Sequence, residues 1–176
     1  MPITHILIAS NTVSTTNTTL VQFSSIPNTY DDLLIKYASS MNIGSSSLDI
    51  NIRFNGVTSG AYSDTLIGIN NTPPTAPQSV TSTNNIWHRL YLTSSGEDGT
   101  PFTFGNGEAY LSNYTSSFNK SMHSFGIVSR SNNIPRMSIG AHVFNNTSPI
   151  TSISLQSGTF NFSLGSSFFL YGIKNT

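Results

Sequence analysis

The sequence contains no cysteine. Disulfides, thiolate nucleophiles and cysteine-ligated zinc are therefore outside its chemistry. Charge is almost as scarce. Seven Lys and Arg balance seven Asp and Glu, and charged residues make up 8% of the 176, against about 25% in an ordinary folded domain. No basic stripe is available to follow a phosphate backbone, so nucleic acid is not an expected partner. No polybasic segment would hold the chain on an anionic membrane. No run approaches the roughly 18 apolar residues of a spanning helix. Residues 1–17 lack the basic start and long apolar stretch of a signal peptide, so none is expected. Helical periodicity is also missing: no long window repeats apolar residues at i, i+3, i+4, i+7.

Ser, Thr and Asn take the place of charge, at roughly two residues in five. Such a surface forms hydrogen bonds but does not repel its own copies, and zero net charge favours association. Strand signals fill the chain. In "LDINIRFNG" (48–56), Ile50, Ile52 and Phe54 alternate with Asp49, Asn51 and Arg53. That period of two puts one set on the dry face of a strand and the other on the wet face. Asn55-Gly56 then suits the positive φ of a tight turn. Similar runs occur at 3–9, 19–23, 32–39, 86–92, 108–113, 123–129, 136–144, 150–156 and 167–173. Many short strands with turn-rich breaks predict a single all-β domain over 1–176, an antiparallel β-sandwich of jelly-roll type. Residues 28–38 can start a helix capped by Asn28, but their β-branched and aromatic content favours a strand. The proline-rich stretch 70–85 reads as a long exposed loop.

Catalytic signals are weak. Asp31 and Asp32 are adjacent and should point to opposite faces of a strand. Glu97-Asp98-Gly99 reads as a turn, and Asp49, Asp64 and Glu108 read as solvated. His5, His88, His123 and His142 show no metal-ligand spacing. There is no G-x-S-x-G elbow. "FGNG" (104–107) reads as turn glycines, since a dinucleotide loop must open a helix. No catalytic residue, metal or other cofactor is expected. Aromatics are plentiful and should mostly be core. The last run, "SFFLYGI" (167–173), is apolar on both faces. Phe169, Tyr171 and Ile173 share one of them, so the strand is either central between two layers or covered by another subunit.

Four stretches carry a family resemblance: "FSSIPNTYDDLLIKYASS" (23–40), "LDINIRFNG" with "YSDTLIG" (62–68), "FGNGEAYLSNYTSSFNKS" (104–121) and "SFFLYGIKNT" (167–176). They resemble small β-rich virion proteins of tailed bacteriophages, notably those of marine bacteria and cyanobacteria. The resemblance implies a virion structural protein without catalysis, released by host lysis. It implies a capsid-surface decoration or cement protein, or else a host-recognition module of a tail or head fibre that binds surface glycan. A glycan-cleaving enzyme is a third expectation. Expected partners are other virion proteins and further copies of the chain as a homotrimer, with Phe169, Tyr171 and Ile173 at the interface. For the glycan-binding alternative, the candidates are Tyr62, Trp87, Tyr114 and the 70–85 loop.

Overall fold

A computed structural model describes residues 4–41, 48–69, 78–85, 87–95, 104–129, 135–158 and 160–175. They form twelve strands and, among the described residues, no helix. The first six are β1 (Thr4–Thr12), β2 (Leu20–Phe23), β3 (Asp32–Met41), β4 (Leu48–Phe54), β5 (Tyr62–Ile69) and β6 (Gln78–Asn85). The remainder are β7 (His88–Ser95), β8 (Gly105–Leu111), β9 (Lys120–Ser129), β10 (Pro135–Phe144), β11 (Ile153–Gln156) and β12 (Ser167–Lys174).

The larger sheet runs β1-β12-β3-β8-β9-β10-β5-β6, antiparallel throughout. The smaller runs β2-β11-β4-β7, also antiparallel. The two pack face to face as a β-sandwich. One short parallel pairing, Ser40 with Ser94 and Met41 with Ser95, joins β3 to β7 where the sheets meet.

The alternation in β4 works as its sequence predicts. Ile50, Ile52 and Phe54 are fully buried, while Asp49, Asn51 and Arg53 remain partly exposed. Asn55 and Gly56 follow at φ 51° and 64°. The Asn55 side chain accepts from the amides of Thr151 (2.8 Å) and Ser152 (3.1 Å), fixing the turn against the approach to β11. Val21, Phe23, Ile153 and Leu155 come from the smaller sheet, and Leu33, Ile35, Phe168 and Leu170 from the larger. All join one continuous core.

Residues 32–41 are a strand, as their β-branched content predicts. Two readings are corrected. The stretch 70–85 is not all loop: residues 78–85 form β6, paired antiparallel with β5, and 70–77 lie outside the described residues. "FGNG" is not a turn, because Gly105 and Gly107 lie within β8. Gly107 faces Tyr37, and a Cβ there would collide with the Tyr37 ring and the Phe125 carbonyl. Glu97-Asp98-Gly99 also lies outside the described residues.

The acids are less solvated than their neighbours in sequence suggest. Asp32 is buried at the start of β3. Its carboxylate accepts from the Tyr110 hydroxyl (2.5 Å), the Asn113 amide (2.8 Å) and Asn175 Nδ2 (2.8 Å), tying three chain segments together. Asp31, on the adjacent position, accepts from the amide of the same Asn175 (2.7 Å). Burial pushes the Asp32 carboxyl up, but the three hydrogen bonds outweigh it and hold the group below its ordinary value.

Phe54→Ala should lower stability by about 3–5 kcal/mol, and Asn51→Ala should stay within about 0.5 kcal/mol, as read from denaturation midpoints. Asp32 gives a second expectation. Its folded pKa lies below the unfolded one, so its contribution is complete above about pH 4 and is lost as pH falls through the folded value. Acid titration of the melting temperature should show a loss below pH 4 that is smaller in Asp32→Asn.

Candidate functional site

The larger sheet is inside out along most of β10. In β10, Ser138, Gly140, His142 and Phe144 point inward, while Met137, Ile139, Ala141 and Val143 point outward. Across the ladder, Ile139 stands between Ile67 and Phe125, and Met137 stands beside Ile127. Ile67, Ile127, Met137, Ile139 and Val143 are all exposed, from 39% at Ile127 to 53% at Ile139. Ordinarily the apolar set of an outer strand is the buried one. Here Ile67, Ile127, Met137 and Ile139 stand together on neighbouring outward positions of three strands, with Val143 further along β10, the kind of apolar surface that marks an interaction site.

Further along the same outer face lies an open groove of about 520 Å³. Phe125, Phe169 and Tyr171 wall it, and the ion pair of Lys36 with Glu108 (3.5 Å), half-exposed on both sides, lies in it.

Beneath the patch is a polar centre. Asp64 of β5, Ser124 of β9, His142 of β10 and His88 of β7 are all buried. Asp64 Oδ1 accepts from Nδ1 of both His88 (2.5 Å) and His142 (2.8 Å), and Oδ2 accepts from the Arg89 amide (3.2 Å). A carboxylate only accepts, so each imidazole carries its proton on Nδ1. His142 Nε2 and the Ser124 hydroxyl are hydrogen-bonded to each other (2.8 Å). His88 Nε2 has no hydrogen-bond partner. Burial raises the Asp64 carboxyl, yet the hydrogen bonds from His142 and His88 prevail and bring it down to about 2. Burial lowers the His88 pKa more than the bond to Asp64 raises it, which keeps the ring neutral.

Ser124, His142 and Asp64 have the connectivity of a hydrolase triad. The site lacks the space for that chemistry. Ser124 is 5% exposed, and even a Cβ at Gly140 would overlap Ser124 Oγ, His142 Nε2 and Leu66. A serine without room for a methyl group beside it has none for an acyl group in attack geometry.

The residues expected to bind glycan do not come together. Tyr62 is fully buried, its hydroxyl bonded to the Phe54 amide and the Val57 carbonyl (both 3.1 Å), so it belongs to the core. Tyr114 is also buried, with its hydroxyl on the Pro27 carbonyl. Trp87 is half-buried under the Arg53 guanidinium, 5.5 Å from its ring centre. Of the expected interface residues, Phe169 and Tyr171 are half-buried on the outer face, whereas Ile173 is buried within the chain. β12 is a central strand between β1 and β3. The reading of Asp64 as solvated is corrected by its burial, and no spacing signal announced its two histidines.

Compared with models of known protein families and with curated proteins, the chain matches none.

Gly140→Ala should destabilise the fold by about 1–3 kcal/mol through overpacking against Ser124 and His142. Ala141→Gly, on the exposed face of the same strand, controls for strand propensity in the thermal melts.

Proposed function

We propose that the chain is a structural, non-catalytic component of a tailed-phage virion, a capsid-surface decoration protein that works by packing against neighbouring subunits. The observation that carries this reading is the apolar outer face of β9, β10 and β5. Those outward aliphatics gain nothing from the monomer's own core, and burying them against a neighbour releases ordered water over a broad area. The near absence of charge removes the repulsion that normally keeps copies apart. In this reading the chain forms a cyclic homotrimer, whose heterologous contacts close on themselves. Phe169 and Tyr171, on the same outer face, extend the contact. Bound at many equivalent positions, such a subunit stabilises the shell by mass action. The localisation is the virion, and neither nucleic acid nor membrane is a partner.

The groove walled by Phe125, Phe169 and Tyr171 supports a second reading, host-surface glycan binding at a fibre tip. Aromatic walls can stack on sugar rings while Lys36, Glu108 and Asn106 offer hydrogen bonds. The stoichiometry of purified particles separates the two. Decoration requires a copy number that scales with the capsid subunits, and a fibre tip a small fixed number per tail.

For the packing face, Ile139→Lys should weaken self-association at least tenfold, about 1.4 kcal/mol, in sedimentation equilibrium. Its melting temperature as a dilute monomer should stay close to wild type, because the side chain points to solvent. Leu164→Lys, equally exposed but outside these strands, should leave association unchanged. Equal association of all three proteins would remove the support for this face.

A further inference from the structure

We propose that Asp64, His88 and His142 form a buried structural site for one divalent transition-metal ion of the zinc class. Two imidazoles and a carboxylate are ligands that such ions favour. The three come from β5, β7 and β10, so a bound ion would join the larger sheet to the smaller one. One donor atom from each side chain lies within 4.8 Å of the others, in a fully buried setting.

Two features set this cluster apart from a simple hydrogen-bond network. The first is charge. Asp64 takes its hydrogen bonds from two imidazoles and a backbone amide, and none of these donors is a Lys or Arg side chain. Buried charges are ordinarily paired or bound to metal. The second is His88 Nε2, which has no partner. With the proton on Nδ1, Nε2 presents a bare lone pair. Its ring meets those of Tyr62 (centres 4.8 Å apart, 88° between planes) and Phe54 (5.7 Å, 64°) edge to face. Aromatic faces are electron-rich and accept an N–H rather than a lone pair.

A metal on the two Nδ1 atoms changes both features together. In the metal-bound state each imidazole is neutral with its proton on Nε2: a neutral ring moves its proton there from Nδ1, and an imidazolium gives its second proton to solvent. His88 Nε2 then carries an N–H in place of a bare lone pair. His142 donates its N–H to Ser124 Oγ, the kind of outer partner that orients a ligating histidine. The ion sets a fixed positive charge against the Asp64 carboxylate. The donors now stand 2.5 and 2.8 Å from the shared oxygen, so reaching metal bond lengths of about 2.0–2.2 Å requires them to part by about 1 Å or less. The competing occupant is a proton on His88, giving an imidazolium–carboxylate pair.

Because the ligands are sealed in, the ion must be bound as the chain folds. The test is to unfold tag-free protein with a chelator, remove the chelator, and refold with zinc, with magnesium or without metal. We expect one zinc per chain after gel filtration, slow loss to chelator from the folded state, and a melting temperature several degrees above the metal-free sample. Cobalt refolded in place of zinc should give the intense visible bands of low-coordinate nitrogen and oxygen ligation. Asp64→Asn and His88→Gln should cut retained zinc at least tenfold, whereas His123→Gln, at an exposed position, should not. If the two ligand variants do not fold, the wild-type cobalt spectrum and zinc stoichiometry decide alone. Wild-type protein that refolds without zinc, shows no shift and has both His88 nitrogens protonated by ¹⁵N resonance would overturn the proposal. Equal zinc retention in the ligand variants would overturn it as well.

Discussion

The parity of β10 is the constraint on which most of this molecule depends. A strand cannot choose faces residue by residue, because burying one side chain buries every second neighbour. Phe144 makes the choice. Its ring stacks on Tyr62 (4.8 Å) and meets Phe54 edge on (5.3 Å), in the centre of the core. Once Phe144 is inside, His142, Gly140 and Ser138 must follow, and Val143, Ala141, Ile139 and Met137 must face out. β9 and β5 are locked to β10 over ten and eight pairs, so their parity is fixed with it. An aromatic anchor at one end of the strand thus places a polar centre inside and an aliphatic patch outside.

The interior absorbs the polar residues in a particular way. Asp64 gathers both histidines, Ser124 satisfies His142, and glycine at 140 leaves the space in which they meet. Elsewhere the same economy of charge is visible. Lys120, buried at the foot of β9, gives its ammonium protons to the carbonyls of Ser116 (2.8 Å), Phe118 (2.6 Å) and Asn146 (3.2 Å), pinning two loops. With few charges available, several of them hold the fold from inside, and the surface is left to hydroxyls, amides and the outward aliphatics. A neutral surface with one apolar face is suited to packing beside identical neighbours.

Much of the fold was legible in the sequence because alternation is a local signal. Ile50, Ile52 and Phe54, the Asn55-Gly56 turn and the strand at 32–41 needed no information from elsewhere in the chain. β6 was hidden because residues 78–85 contain a single apolar residue, Val80, and so carry no apolar stripe; its pairing with β5 reveals the strand. Tyr62 and Tyr114 were candidates only for the glycan-binding alternative, and the fold places both in the core, where the Val57 and Pro27 carbonyls satisfy their hydroxyls. The polar centre was out of reach. Asp64 and His142 are 78 positions apart, and alternation reveals which residues share a face without saying which face is inside. In β10, hydrophobicity alone favours burying Ile139, and the aromatic anchor overrides it.

The central claim is that the outer face of β9, β10 and β5 is an interior surface in the working assembly. Methionine oxidation tests it most directly, since Met137 lies in the patch, 40% exposed, while Met41 and Met122 are buried in the core. A thioether in solvent is oxidised by peroxide to the sulfoxide, and a covered one is protected. Peptide mass spectrometry after brief peroxide treatment should find Met137 oxidised in the dilute monomer and protected in the assembled state, with Met41 and Met122 protected in both. Equal oxidation of Met137 in the two states would contradict the account.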